Sequence, residues 1–372
     1  MDCRHWWWLW SRCAGIGPIR MGQLEAIGLD YEASLEELWT WPEQRLQKAL
    51  PWPAHLFKAL ELYRSKWGAS PQIDLPEEAL LPMDLLWPGG FLALKRPPLA
   101  LFWQGRQELL SCLGARKAVA IVGTRRASNH GLRMAKALGS ALAQAGWPVV
   151  SGLAEGIDAA AHRGCLEACG APVAVLGTPL QRVYPQQHDE LQACVATDGL
   201  LITEQPKHAS VTRGSFVARN RLLAAFVKAV VVVECPEGSG ALITARRAVE
   251  QHCSLLVVPG DARRWSALGS NALLLDQASP LLSPEALIDQ LGVGPLEIPS
   301  PMVACDLSDP RSSSRTGQHG DTALLQAIGD GAFLEDLITC LDVSSTRLIE
   351  QLLQLELQGV LVAEPGLRWR LA

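Results

Sequence analysis

No stretch of this 372-residue chain approaches the roughly 18 consecutive apolar residues that a membrane-spanning helix needs. The opening MDCRHWWWLWSRC holds a five-residue aromatic and apolar run before Ser11 and Arg12. That is too short for the apolar core of a secretory signal. A cytoplasmic protein without membrane insertion is the expectation. The ten cysteines include no Cys-x-x-Cys pair, so they read as reduced, mostly buried thiols and not as a disulfide frame. Positive charge is not in excess either: 33 Lys and Arg face 38 Asp and Glu, a net charge of −5. Any nucleic-acid contact must therefore come from a local patch and not from global attraction.

What is present is ordinary globular material. Apolar residues make up 48% of the chain and charged ones 19%, enough for two or three cored domains at about 100–200 residues each. Ten of the 13 tryptophans lie before residue 104, which marks off an N-terminal helical module over residues 1–80. Within it, AGIGPIRMGQLEAIG (14–28) places Gly15 and Gly17 ahead of an amphipathic segment. The spacing fits a helix–hairpin–helix whose turn amides face a phosphate, and equally a plain helix–helix turn in a small helical domain; the plain turn is the favoured reading.

From residue 84 to 294 the texture is strand–helix–strand. AVAIV (118–122), PVVS (148–151), PVAVLG (172–177), LLITE (200–204), AVVVVE (229–234) and SLLVVP (254–259) are continuous apolar runs. Such runs suit strands buried on both faces of a parallel sheet. Helical stretches lie between them, for example 130–146 with Gly146 as its terminator. The expected fold class is α/β, an extended Rossmann-like, doubly wound and mostly parallel sheet. Residues 295–320, rich in Pro, Ser, Gly and Asp, read as a linker. Residues 321–372 read as three short helices and a hairpin turning at Pro365-Gly366, a winged-helix pattern.

Ligands of open parallel sheets collect at the carboxyl ends of the strands. The first strand ends in Gly123, Thr124 and Arg125, where a dinucleotide fingerprint would carry two more glycines. Gly123 permits a tight turn, so that amides of the next helix's first turn face an anion; Thr124 adds a hydroxyl and Arg125 a fork matching phosphate oxygens. No acid stands at the tip of the second strand, Val150-Ser151-Gly152, and no Walker lysine loop occurs, so neither NAD, FAD nor another cofactor is expected. Before the fifth strand, RGSFVARNRLLAAF (213–226) puts Phe216, Arg219 and Asn220 on one helix face, with Arg221 beside them. A ring, a guanidinium and a carboxamide suit a stacked base, a phosphate and a base edge. Residues 211–247 carry six Arg or Lys against two Glu. The competing reading pairs Arg219 and Arg221 with Glu204 and Glu234 at the strand ends.

No nucleophile–base pair stands out: Ser151, Thr178 and Ser239 follow strands, but G-x-S-x-G is missing. His162, Cys165 and Cys169 share a helix face at zinc-compatible offsets, yet no fourth ligand lies near, and no metal is expected. A nucleotide hydrolase of the LOG phosphoribohydrolase kind is the rival. It would need P-G-G-x-G-T-x-x-E near the fifth strand, where this chain has PEGSGAL (236–242).

AIVGTR, SGLAEGIDAAAH, VYP, LLITEQP, RNRLLAAF, VVVE, SGALITA and VVPG, in this order across residues 84–291, resemble the DprA/Smf family of DNA-processing proteins. The resemblance implies a non-enzymatic, cytoplasmic homodimer that binds single-stranded DNA, protects incoming strands during natural transformation and helps load the RecA recombinase. It also implies that Gly123, Thr124, Arg125, Phe216, Arg219, Asn220 and Arg221 line the DNA pocket. Val217 replaces a proline usual in the family, and Ala225 a glycine; both changes are small and apolar. The expected recognition helix of the tail, SSTRLIEQLLQLELQG, sets one arginine against Glu350 and Glu356, a poor match to a DNA groove. The tail therefore reads as a protein-contact or regulatory module, with Arg368 and Arg370 as its candidate phosphate contacts.

Overall fold

The computed structural model describes residues 2–69, 71–275 and 278–297, and in the C-terminal part 332–333, 348, 352, 355–356, 361–364 and 368–371. The chain divides into two compact units, Met1–Pro301 and Met302–Ala372.

The first unit opens with five helices, α1 (Cys3–Ser11), α2 (Pro18–Asp30), α3 (Leu35–Thr40), α4 (Glu43–Ala49) and α5 (Ala54–Trp67). The early tryptophans explain their cohesion. Trp6, Trp7, Trp10, Trp39, Trp41 and Trp52 are all buried in one cluster. The Arg64 guanidinium lies 5.5 Å from the Trp10 ring and 5.4 Å from Trp39, so its charge meets two aromatic faces. Gly15 and Gly17 stand in the α1–α2 turn, Gly15 at φ +88° and Gly17 as the N-cap of α2.

A sheet of nine strands follows: β1 (Ala79–Leu80), β2 (Leu101–Gly105), β3 (Val119–Val122), β4 (Val149–Ser151), β5 (Pro172–Leu176), β6 (Leu200–Thr203), β7 (Ala229–Val232), β8 (Ser254–Val257) and β9 (Ser279–Pro280). Their order is β1-β2-β6-β5-β4-β3-β7-β8-β9. Pairing is parallel from β6 to β9, and β1 and β2 add an antiparallel edge. The six apolar runs of the sequence are β3 to β8. The edge strands β1, β2 and β9 leave no such signature in the sequence, because a two-residue strand or LFWQG carries no long apolar run.

The helices α6 (Leu109–Gly114), α7 (Asn129–Gln144), α8 (Ile157–Glu167), α9 (Asp189–Asp198), α10 (Arg213–Ala225), α11 (Gly240–Glu250), α12 (Leu268–Leu273) and α13 (Pro284–Leu291) cover the sheet. The strand pleat distributes their contacts. Val119 and Ile121 of β3 belong to one buried layer with Leu138 and Leu142 of α7 and Leu287 of α13. Ala120 and Val122 belong to the opposite layer with Leu222 of α10 and Ala245 of α11. Both faces are dry, which is why these strands read as continuous apolar runs. Removing one such side chain, Leu142→Ala, is expected to cost about 2–5 kcal/mol.

Helix α7 shows its signals clearly. Ser128 caps it, its Oγ accepting from the Gly131 N–H at 3.1 Å. The helix ends at Gln144, two residues before Gly146, which adopts φ +77°. The Trp147 N–H then reaches Leu142 O at 2.8 Å and the Gly146 N–H reaches Ala143 O at 3.0 Å, satisfying the last carbonyls.

In the second unit β12 (Arg368–Leu371) pairs antiparallel with both β11 (Leu361–Glu364) and β10 (Ala332–Phe333). The turn at Pro365-Gly366, the body of the three expected helices and residues 298–320 of the expected linker lie outside the described residues.

Candidate functional site

The carboxyl ends of the parallel strands form a crest, and the sheet's switch point lies there between β3 and β7. That crevice is closed by the protein itself. A Cβ on Gly123 would stand 2.8 Å from Glu234 O and 2.5 Å from the Ile157 side chain, so only glycine lets β3 pass. The Thr124 N–H donates to Glu234 O at 2.7 Å, and Thr124 Oγ1 accepts from the Arg126 N–H at 3.2 Å.

The anion at the start of α7 is also internal. Glu234, 4% exposed, accepts on Oε2 from the Ser128 N–H at 3.2 Å and from the Ser128 hydroxyl at 2.7 Å. Ser266 Oγ donates to its other oxygen, and Arg264 donates to Ser128 Oγ at 2.8 Å. A carboxylate 106 positions downstream of Ser128 thus already lies at the positive end of α7, bound to its N-cap residue, while Ser128 Oγ takes the Gly131 amide of the first turn. Gly123 and Thr124 shape the turn, and Arg125, exposed, projects from it.

Three of the expected residues do meet, displaced toward β4 and β5. A notch of about 50 Å³ is lined by Arg125, Gly152, Ala154, Tyr184, Phe216 and Arg219. The Phe216 ring rests on Gly177, where a Cβ would fall 2.7 Å from its edge. Tyr184 stands beside it at 4.9 Å between centroids, and the Arg125 guanidinium lies 5.9 Å from the Phe216 centroid. Tyr184 remains 44% exposed, so the pair presents an open aromatic face next to the Arg125 guanidinium, with Glu155 also on the notch wall. Tyr184 is the tyrosine of the VYP motif; what joins it to Phe216 is the approach of α10 to the β5 loop.

Arg219 plays another part. It is 5% exposed, and donates from Nη1 to Gly152 O at 2.8 Å and to Val175 O, and from Nε to Asn220 Oδ1 at 3.1 Å. Burial pushes its pKa down to about 10, opposed by the charge of Asp158 and aided by that of Arg125. Asp158, itself buried, accepts from the Gly152 N–H at 3.1 Å. Burial pushes that carboxyl up, while Arg219 and the backbone donors pull it down. Arg219 thus braces the floor of the notch and supplies charge through it. Asn220 holds Arg219 on one side and donates to Gly240 O at 3.2 Å on the other.

Arg221 stands apart from the notch. It faces the other flank of α10 and forms a two-pronged pair with Glu204, at 2.6 and 3.0 Å. Its Nε donates to Arg96 O at 3.0 Å. The pairing alternative holds for Arg221 with Glu204, whereas Arg219 is held by carbonyls and has no glutamate partner among the described residues.

The hydroxyls that follow strands are spent on structure. Ser151 Oγ donates to Ile121 O at 2.6 Å, Thr178 Oγ1 to Arg182 O at 2.9 Å, and Ser239 Oγ accepts from the Ala241 N–H at 3.2 Å. His162 is buried with Nε2 3.3 Å from Val173 O, Cys165 is buried, and Cys169 is exposed, so the three do not converge. Among the described residues no group of three or more His, Cys, Asp or Glu is placed to hold a metal ion. None of the described helices is long and apolar enough to cross a membrane.

Comparison with known proteins gives consistent matches. The family model for DNA recombination-mediator protein A matches residues 78–292. Protein Smf of Synechocystis is 35% identical over 300 residues, covering 78% of this chain and 73% of that protein. Protein Smf of Escherichia coli is 32% identical over 308 residues, covering 79% and 78%. The X-ray structure of DNA processing protein A from Streptococcus pneumoniae superposes with a TM-score of 0.63 at 25% identity, over 76% of this chain and 96% of that one. A structure addressing the single-stranded DNA binding mode of DNA processing protein A from Helicobacter pylori superposes with a TM-score of 0.51 at 30% identity, over 57% and 95%.

Proposed function

Because the chain belongs to the DNA recombination-mediator protein A family, the DprA/Smf proteins, we propose that it binds single-stranded DNA at the crest of its sheet. The observation that carries this reading is the open aromatic pair of Tyr184 and Phe216 with Arg125 alongside. A notch of about 50 Å³ is too small to enclose a nucleotide but large enough to seat a phosphate oxygen or water. A base then stacks on the exposed rings, and Arg125 meets the adjacent phosphodiester. Duplex DNA, whose bases are already stacked on one another, cannot use the rings.

In this reading the protein coats incoming single strands in the cytoplasm during DNA uptake, without chemistry of its own, and passes them to the RecA recombinase as a homodimer. The likeness to DNA-processing relatives supports that role. Residues 1–80 serve as a helical module, 84–294 as the DNA-binding domain, 295–320 as a linker and 321–372 as a winged-helix-like domain for protein contacts.

The test is competition. Labelled single-stranded oligonucleotide bound to the protein should be displaced by unlabelled single strand far more readily than by duplex of the same length. Equal displacement would remove the crest reading. In parallel, incubation with nucleoside monophosphates should release no free base; release would favour a LOG-type hydrolase instead.

A further inference from the structure

Beside the crest lies a larger cleft that the reading so far does not use. Between the N-terminal helices and α10, a cavity of about 900 Å³ is walled by Arg12, Lys95, Arg96, Val217, Arg221 and Arg247 among others. Its carboxylates, Glu204 and Glu250, are already paired, with Arg221 at 2.6 Å and Arg247 at 2.6 Å. Arg12, Lys95 and Arg96 are exposed and have no carboxylate partner among the described residues. On a chain of net charge −5 this leaves three uncompensated cations in one concavity.

A second cavity, about 350 Å³, adjoins it and shares Arg12 and Gln205. Trp8, Phe102, Lys207 and one carboxylate, Glu78, line this one, with the Arg12 guanidinium 5.1 Å from the Trp8 ring. Leu180 and Gln181 form part of its wall, and the same loop continues to Tyr184 at the crest notch. Helix α10 separates the two regions by a single residue step, since Phe216 lines the notch and Val217 lines the cleft.

We propose that this pair of cavities is a second track for the same single strand, resting on the crest reading. Lys95, Arg96 and Arg12 meet the phosphates, and the Trp8 side of the smaller cavity receives a base. A groove that sets unpaired cations beside an aromatic wall, one helix α10 away from a stacking platform, has the charge and surface of a single-strand path. It also gives the N-terminal module contact with the strand without using the Gly15–Gly17 turn.

The track should count only for strands long enough to leave the crest. The variant Lys95→Ala/Arg96→Ala changes exposed side chains and should keep the parent's thermal midpoint. Its affinity for an oligonucleotide of about 20 nucleotides should fall roughly five- to tenfold, with a log–log salt slope shallower by about 1.4 for two lost phosphate contacts, while a strand of about 6 nucleotides should bind as to the parent. Arg12→Gln should act in the same direction. An unchanged long-strand affinity in both variants, or equal loss for both lengths, overturns the second track. So does a result in which the parent binds a labelled oligo-glutamate peptide through Lys95 and Arg96 and the long strand is unaffected, which would make the cleft an acidic-peptide site. Arg125→Ala should instead weaken both lengths; if it weakens neither, the crest reading itself fails, whatever the cleft variants do.

Discussion

Arg125 and Arg219 sit on the same notch, but burial gives them different work. Arg125 is exposed and makes no side-chain hydrogen bond among the described residues. Arg125→Ala is therefore expected to leave stability within about 0.5 kcal/mol of the parent and to weaken single-strand binding by about 1.5–3 kcal/mol. Arg219 is buried against the carbonyls of Gly152 and Val175, with Asp158 close in charge. Arg219→Ala leaves those acceptors unmet and the carboxylate uncompensated, so unfolding free energy should drop by roughly 3–5 kcal/mol in a denaturant titration. Parent-like stability would show that Arg219 is not the brace described. Loss of DNA binding in that variant alone says nothing about direct contact. Phe216→Ala, by contrast, should remove about 1–3 kcal/mol of stacking with little change in salt dependence.

At the scale of elements, the crest depends on how α10 lies on the end of β5. Gly177→Ala would push a methyl to 2.7 Å from the Phe216 ring edge and turn the ring away from Tyr184. Oligonucleotide titration should show a loss of about the same order as Phe216→Ala, without any change in charge. Unaltered affinity would mean the ring's seat on Gly177 is irrelevant. The strands β3 to β8 were legible because burial on both faces writes itself as an unbroken apolar run. Phe216 and Arg219 were legible as a helix-face pair, since a spacing of three is local. The Glu234 carboxylate on Ser128 was not, because nothing in the sequence links positions 106 apart. Likewise Arg221 could be assigned to Glu204 or to the notch, and only the rotation of α10 against the sheet decides between them.

Across the whole molecule, the buried core makes the fold acid-sensitive through His162. The ring is fully buried, hydrogen-bonded at Nε2 to Val173 O, with Nδ1 lacking a partner among the described residues. Burial lowers its pKa from 6.5 to about 4, so between those values the unfolded chain binds the extra proton. Stability from this group is full above pH 6.5 and is lost progressively as pH falls from 6.5 toward 4, by about 3 kcal/mol in all. Replacing it, His162→Gln, should flatten the pH dependence of the denaturant midpoint across that window; an unchanged slope would place the sensitivity elsewhere.

The net charge of −5 also bears on the central claim, because only a local patch can make binding salt-sensitive here. The most direct measurement is the affinity for a single-stranded oligonucleotide over a salt series, for the parent and Arg125→Ala. The account predicts a linear fall of log K with log salt in the parent, and in the variant weaker binding with a slope shallower by about 0.7, one phosphate contact on a single strand. Coincident lines for the two proteins would contradict it.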